Sequence, residues 1–171
     1  MSEVFNLEKR IRIAILTVSD TRDLNTDESG QLIRKLAQEK DLEIAAYEIV
    51  KDDADEIRKT VSRLLEHETV DAVITTGGTG IAKRDVTFEA VTPLFEKELP
   101  GFGELFRFLS YTEDIGSKAL LSRAAAGTSA HKVLFVLPGS RGAVRLAMEK
   151  LILPEIGHIV FELTKHFQVR E

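Results

Sequence analysis

The chain has 171 residues, 43% of them hydrophobic and 30% charged, which is typical of one globular domain and excludes a wholly disordered chain. Its formal net charge of −5 argues against a nucleic-acid partner, because non-specific binding to nucleic acid needs clustered basic residues. The absence of cysteine excludes disulfides, cysteine-ligated metals and thiol nucleophiles.

The N-terminal segment has none of the features of a secretion signal. Residues 1–10 carry acidic side chains where a signal peptide has basic residues followed by an apolar stretch. No apolar run reaches the roughly 18 residues that a membrane span needs. We therefore expect a single domain over 1–171, with 1–10 as an N-terminal extension, in a cytoplasmic protein with no membrane partner.

Short apolar runs rich in β-branched residues predict buried strands at 11–18, 44–50, 70–75 and 133–137. Between them, apolar residues with helical spacing predict helices around 32–37, 57–65 and 144–152. Strands that alternate with helices favour an α/β fold, in which a mostly parallel sheet is covered on both faces.

The middle of the chain is less regular. Pro93 interrupts the helical spacing between 86 and 99 and predicts a kink or two pieces there. Residues 110–113 match a capping box and predict the start of another short helix. Residues 124–126 and 133–137, separated by 127–129, predict a hairpin that adds an antiparallel strand.

Ligands of open α/β sheets bind at the carboxyl ends of the strands. Small, hydroxylated or charged residues follow each predicted strand of this chain, at 19–22, 51–53, 75–80 and 138–142, with a further set at 27–30. This convergence predicts one binding site built from several strand exits.

The sharpest motif is the glycine loop 75–80, which has three threonines and three glycines. Its backbone can approach an anion closely, and a helix that begins near Asp85 or Val86 would add its N-terminal dipole. The loop lacks the lysine of a Walker A motif and the third glycine of a dinucleotide-binding fingerprint. A tight turn from strand to helix remains the alternative interpretation.

Two aspartates beside this loop are candidate metal ligands. Asp52 and Asp85 each follow a predicted strand or its loop, although a helix N-cap would also explain either one. Asp53, with Glu56 three residues later, already makes a good cap for the next helix, which leaves Asp52 less explained. Because magnesium is held by one or two carboxylates plus substrate phosphates, the pair suits nucleotide chemistry.

Among the basic residues we favour Arg84 and Arg123 as phosphate contacts. The four histidines show no metal-ligand spacing. The sequence does not exclude a Ser-His-Asp triad, but it has no Gly-x-Ser-x-Gly motif.

Together these motifs resemble the molybdenum cofactor biosynthesis family that includes MoaB, MogA and the G domains of gephyrin-like proteins. The most specific match is Gly77-Gly78-Thr79-Gly80 followed by Arg84-Asp85-Val86-Thr87. Residues 16–22, 27–30, 121–127 and 137–140 match in the same order, and 101–107 is most similar to the MoaB branch.

The resemblance implies a three-layer αβα sandwich that assembles into trimers or hexamers. It also implies a molybdopterin adenylyltransferase, in which ATP and molybdopterin give adenylyl-molybdopterin and pyrophosphate with the help of Mg²⁺. Asp52 and Asp85 would serve the metal, and Arg84 or Arg123 would offset phosphate charge. The residues that match family positions around the nucleotide and pterin are Ser19, Asp20, Ser29, Gly30, Thr76, Gly77, Gly78, Thr79, Gly80, Ser122, Arg123, Pro138, Gly139 and Ser140.

Two departures and two alternatives accompany the resemblance. Lys51 stands where family members often have proline, so either Asp52 or Asp53 matches the family's aspartate, and Phe88 replaces another frequent proline. The related CinA-type domain suggests a hydrolase of nucleotide pyrophosphates, which Arg84-Asp85-Val86-Thr87 fits less well. A pterin-binding protein without catalytic activity is the other alternative.

Overall fold

Six strands form one mixed sheet in the computed structural model, which describes residues 9–167. They are β1 (Arg12–Val18), β2 (Glu43–Val50), β3 (Ala72–Thr76), β4 (Lys97–Glu98), β5 (Ala125–Ser129) and β6 (Lys132–Leu137). Their order across the sheet is β2-β1-β3-β6-β5-β4, parallel from β2 to β6 and antiparallel beyond. The four predicted parallel strands are confirmed, but β2 is only partly buried, because it lies at the edge of the sheet.

Helices cover both faces of the sheet. They are α1 (Glu28–Glu39), α2 (Ala54–Glu66), α3 (Thr87–Val91), α4 (Pro100–Glu113), α5 (Arg141–Ala147) and α6 (Leu153–Thr164). A π-helical turn, Met148–Ile152, joins α5 to α6 within the apolar stripe predicted at 144–152. Pro93 ends α3 as expected, and a 3₁₀ turn at Thr92–Leu94 follows it.

Alternating side chains of the central strands divide the core into two halves. Ile13 and Ile15 of β1 pack with buried residues of α1, α4, α5 and α6, whereas Ala14 and Leu16 pack with those of α2 and α3. Because each face of the sheet buries its own set of helices, the architecture is the three-layer αβα sandwich that the resemblance implied.

Two local predictions are wrong. Residues 110–113 do not open a helix, because α4 is already running from Pro100 and they form its last turn, with Ser110 buried. The predicted hairpin is real, but its turn is Ala130-His131, whose positive φ angles suit a two-residue connection. Gly127 lies within β5 instead, where a Cβ atom would stand 2.3 Å from the ring of Phe95.

The direction of the first crossovers determines where a ligand can enter. The chain leaves β1 through α1 on one face of the sheet and returns from β2 to β3 through α2 on the other face. Strand order therefore reverses between β1 and β3, and the carboxyl ends of these strands flank a crevice. No helix within residues 9–167 is long and apolar enough to cross a membrane.

Candidate functional site

The loops after β1, β3 and β6 touch one another above the sheet. Gly77, at the end of β3, has a φ of 97° and lies so close to β1 that a Cβ atom would stand 2.4 Å from the carbonyl oxygen of Val18. Its amide donates to Leu137 O at 3.1 Å, and a Cβ on Gly139 would lie 3.2 Å from the Cα of Gly77. The glycines therefore allow an approach of backbones that larger residues would prevent.

Two cavities flank this contact, and they hold most of the residues that the sequence predicted. Cavity A, of about 350 Å³, is lined by the predicted residues Ser19, Ser29, Thr76, Gly77, Gly139 and Ser140. Cavity B, of about 330 Å³, is lined by Gly78, Thr79, Gly80, Asp85, Ser122, Pro138, Gly139 and Ser140. Since Gly139 and Ser140 line both, the two cavities meet at the loop after β6.

A cluster of three carboxylates, Asp20, Asp52 and Asp85, lies beside the glycine loop. Burial raises the pKa of Asp52, and the negative charges of Asp20 and Asp85 raise it further. Arg84 forms an ion pair with Asp20 that lowers the pKa of Asp20. Arg84 is thus already paired with a carboxylate in this structure, while the negative charge near Asp52 remains partly uncompensated.

These carboxylates fit a magnesium ion only as an incomplete set of ligands. Within residues 9–167 no group of three or more His, Asp or Glu side chains is arranged so that it could hold a metal ion by itself. Magnesium usually keeps waters and takes one or two carboxylates plus substrate phosphates, so an unfinished set is what a nucleotide site would present. Burial is the main cause of the raised pKa of Asp52, the negative charges of Asp20 and Asp85 add to it, and a bound cation would neutralise these charges.

Helix capping separates Asp53 from its neighbour Asp52. Asp53 is the N-cap of α2 and accepts a hydrogen bond from the amide of Glu56 at 2.9 Å, as predicted. Asp52 caps no helix and points its carboxylate at the glycine loop, where Oδ1 lies 3.1 Å from the position of a Cβ on Gly78. The structure thus favours Asp52 as the second carboxylate of the cluster.

We expect Asp53→Ala to lower the free energy of unfolding by about 1 kcal/mol, the usual effect of losing an N-cap, and to leave turnover intact. For the adenylyltransferase activity that the resemblance implies, Asp52→Asn should lose turnover without losing stability. Its raised pKa means that the charged form costs stability above that pKa, and asparagine removes the cost. Denaturant unfolding and a turnover assay on both variants check this. Loss of turnover in Asp53→Ala alone would reverse the assignment.

Asp85 is no helix cap either, which corrects one interpretation of the sequence. α3 begins at Thr87 with Val86 at the N-cap and no side-chain cap. Asp85 Oδ2 instead accepts from the amide of Ala82 at 3.1 Å, within the loop. A Cβ on Gly80 would lie 2.6 Å from the same oxygen, so the carboxylate lies against the glycine loop and lines cavity B.

Arg123 braces the glycine loop from behind. Its Nε donates to Thr79 O at 2.9 Å and Nη2 donates to Gly80 O at 2.6 Å, while it also pairs with Glu89. Its guanidinium lies 5.1 Å from the ring centroid of Phe88, the residue that departs from the family pattern. Because its donors are engaged by the protein, Arg123 holds the loop in shape in this structure.

Two buried hydroxyls at the site have no hydrogen-bond partner within the described part of the chain. They are Thr87 Oγ1 and Ser122 Oγ. Thr87 packs under Gly78, where a Cβ would stand 2.2 Å from the hydroxyl oxygen, and its amide donates to Gly78 O at 3.0 Å. The glycine loop and the Arg84–Thr87 segment are therefore one packed unit.

Sequence reasoning did not select Asp27, a buried residue that lines cavity A. Its carboxylate accepts hydrogen bonds from Thr17 and Tyr47, and it caps α1 by accepting from the amide of Gly30. Gly30 lines neither cavity. It packs against Asp27 instead, because a Cβ at position 30 would stand 2.1 Å from Asp27 Oδ2. The signal was available in Asp27-Glu28-Ser29-Gly30, but only packing shows that Gly30 makes room for Asp27.

The fold and the site define a doubly wound α/β protein with a ligand site at the point where strand order reverses. Residues 14–158 match the family described as "Probable molybdopterin binding domain". The chain belongs to this family.

Similar proteins cover nearly the whole chain. Molybdenum cofactor biosynthesis protein B of Staphylococcus aureus is 58% identical over 161 residues, which are 93% of this chain and 95% of that protein. A crystal structure of a molybdenum cofactor biosynthesis protein B is 57% identical with a TM-score of 0.91, and the match covers 94% of this chain and 99% of that one. The tungsten cofactor synthesizing protein MoaB of Pyrococcus furiosus is 39% identical with a TM-score of 0.80, covering 91% and 98%.

The fold extends to a more distant protein. A CinA structure from Thermoplasma acidophilum is 19% identical with a TM-score of 0.58, and the match covers 88% of this chain and 98% of that one. At this identity the likeness concerns the fold alone.

Proposed function

We propose that this chain acts in molybdenum cofactor biosynthesis as a magnesium-dependent molybdopterin adenylyltransferase. Its substrates would be ATP and molybdopterin, and its products adenylyl-molybdopterin and pyrophosphate. The family and the names of its relatives support the pathway. The proposal places the protein in the cytoplasm, because ATP and magnesium are abundant there.

The observation that carries the proposal is the pair of cavities that meet at Gly139 and Ser140 beside the carboxylate cluster. A transfer between two substrates needs two adjoining subsites, so that the nucleophile of one faces the electrophile of the other. A protein that only binds one pterin would need only one of them.

The proposed reaction is an in-line displacement. The terminal phosphate of molybdopterin attacks the α-phosphorus of ATP, a new P–O bond forms, and the bond to the β-phosphate oxygen breaks with release of pyrophosphate. A magnesium ion held by Asp52 and Asp85 would supply charge neutralisation to the nucleotide phosphates. The protein's own contribution is positioning, through the amides of Gly78 to Gly80 and through the rigid loop that Arg123 braces.

Arg84 has a further use in this scheme. Its side chain is exposed and paired with Asp20 at the edge of the cluster. When phosphates arrive, the guanidinium can turn from the carboxylate to them, because charged hydrogen bonds to phosphate are strong and often bidentate. The ion pair with Asp20 therefore keeps the positive charge of Arg84 beside the site until substrate binds.

An exposed apolar surface supports the homo-oligomer, a trimer or a hexamer, as part of the same proposal. It consists of Leu105, Phe108, Tyr111, Leu120 and Leu121 on α4 and the 3₁₀ turn that follows, each at least half exposed. Contiguous apolar surfaces of this kind on a globular chain mark protein contacts. Leu121 also lines cavity B, so a second copy at this surface would lie next to the site.

The raised pKa of Asp52 predicts that turnover begins to fall at a higher pH than an ordinary aspartate would cause, as the solution is made acidic. A carboxyl whose pKa is raised stays protonated to a higher pH than an ordinary aspartate, and its protonated form does not bind a cation. With limiting magnesium, turnover should therefore fall at a pH above the usual aspartate range of about 4. Saturating magnesium competes with the proton and should move this fall in turnover to lower pH. If turnover fell at the same pH at every magnesium concentration, the metal role of Asp52 would be contradicted.

Release of pyrophosphate from ATP tests the function, measured with and without molybdopterin and magnesium. The proposal expects release only when both are present. ATP breakdown without pterin would instead favour the CinA-like hydrolase, and pterin binding without any release would favour the non-catalytic binding protein. Each outcome selects one of the three candidate functions.

A further inference from the structure

A buried carboxylate lies beneath cavity A and is held by hydroxyl groups. Asp27 is 2% exposed, and within residues 9–167 no Lys, Arg or His side chain forms an ion pair with it. Its Oδ2 accepts from Thr17 Oγ1 at 2.6 Å and from Tyr47 Oη at 2.5 Å, and its Oδ1 accepts from the amide of Gly30 at 3.0 Å. Hydrogen bonds thus replace the water that a buried carboxylate loses.

The three donors come from three different elements of the fold. Thr17 lies on β1, Tyr47 on the neighbouring strand β2, and Gly30 in the first turn of α1. Burial and the negative charge of Asp27 raise the pKa of Tyr47, so its phenol remains a protonated donor at neutral pH. Asp27 therefore ties the start of α1 to the two strands beneath it.

The first turn of α1 is also one wall of cavity A. Ser29, two residues after Asp27, donates from its hydroxyl to Gly139 O at 2.7 Å, and both residues line the cavity. Gly139 belongs to the loop that the two cavities share. A shift of the α1 start would move Ser29, release Gly139 and change the width of cavity A.

We propose that Tyr47 is a positioning residue for the ligand of cavity A. Its hydrogen bond holds Asp27, Asp27 holds the start of α1, and the bond from Ser29 to Gly139 connects that start to the wall of the cavity. The inference rests on the proposed function, since it says what sets the affinity for one of the two substrates. Tyr47 lines neither cavity. Its effect therefore passes through the hydrogen-bond network of Asp27 and not through contact with a substrate.

The test compares Tyr47→Phe with Thr69→Val, which also removes one hydroxyl group, at an exposed position after α2 that lines neither cavity. In Tyr47→Phe, KM for one substrate should rise about tenfold, the effect of about 1.4 kcal/mol of lost binding, while kcat and the other KM stay within about twofold. Amide hydrogen exchange of segments 27–33 and 138–144, measured without substrates, should become about tenfold faster. Thr69→Val should match the unsubstituted protein in both measurements. Thr17→Val, which removes the second hydroxyl donor, should speed the exchange of the same two segments; its KM is no test of the network, because Thr17 also lines cavity A.

A lower melting temperature with unchanged KM and unchanged exchange at 138–144 would overturn the proposal, because Tyr47 would then serve stability alone. Faster exchange without a rise in either KM would equally overturn it. If the unsubstituted protein released no pyrophosphate, the proposed function would fail. The exchange measurement would still decide whether Tyr47 controls the loop that bears Gly139.

Discussion

Asp85→Asn is expected to fold normally and to lose about a hundredfold or more in turnover. A metal-binding carboxylate supplies several kcal/mol of charge stabilisation, and each 1.36 kcal/mol corresponds to a factor of ten in rate. Asparagine keeps an oxygen that can accept from the amide of Ala82, so the loop should retain its shape. The melting temperature should therefore stay within about 2 °C, the range of ordinary surface substitutions. Pyrophosphate release and a thermal melt measure the two properties.

Asp55→Asn is the matched control for this variant. Asp55 lies in the first turn of α2, its side chain is 89% exposed, and it forms an ion pair with Arg58 on the same helix. The same loss of one negative charge should leave turnover unchanged there. Equal turnover in Asp85→Asn and the unsubstituted protein would remove Asp85 from the metal site.

Gly77→Ala is expected to have the largest effect on stability, a loss of about 3 kcal/mol. Alanine would have to adopt a φ of 97°, which costs roughly 1–2 kcal/mol, and its Cβ would meet the carbonyl oxygen of Val18 at 2.4 Å. That oxygen belongs to the backbone of β1 and has no flexible side chain to move away. A domain of this size should then melt about 6–12 °C lower.

Gly101→Ala provides the comparison at a position without crowding. Gly101 lies in the first turn of α4, and no atom comes within 4 Å of a Cβ built there. Since alanine favours a helix over glycine by roughly 0.5–1 kcal/mol, its melting temperature should hold or rise slightly. If Gly77→Ala melted at the same temperature as Gly101→Ala, the contact between Gly77 and the carbonyl of Val18 would not be tight.

The α/β class and the parallel strands could be predicted because each strand is a short apolar run, and the inner strands such as 133–137 are buried on both faces. The cap of α2 by Asp53 could also be predicted, since it depends on the amide of Glu56 only three residues away. The turn at Ala130-His131 could not, because neither residue is a usual turn former and the pairing of β5 with β6 imposes their positive φ.

The predicted site residues share one edge of the sheet, but their roles depend on contacts between distant segments. Arg123 was expected to face phosphates and instead binds carbonyls of Thr79 and Gly80, more than 40 residues earlier in the chain. Gly30 was expected near a ligand and instead makes room for the carboxylate of Asp27. Local spacing carries no information on such packing.

The sequence by itself determined the fold class, the strand exits that bear the site and the family resemblance, because apolar periodicity and the motifs from Gly77 to Thr87 are local properties. Only the tertiary structure decided that Asp52 rather than Asp53 joins the carboxylate cluster, and that Tyr47 reaches the α1 start through Asp27. These assignments depend on which strands lie side by side. That order follows from the burial of the whole core and not from any short stretch of residues.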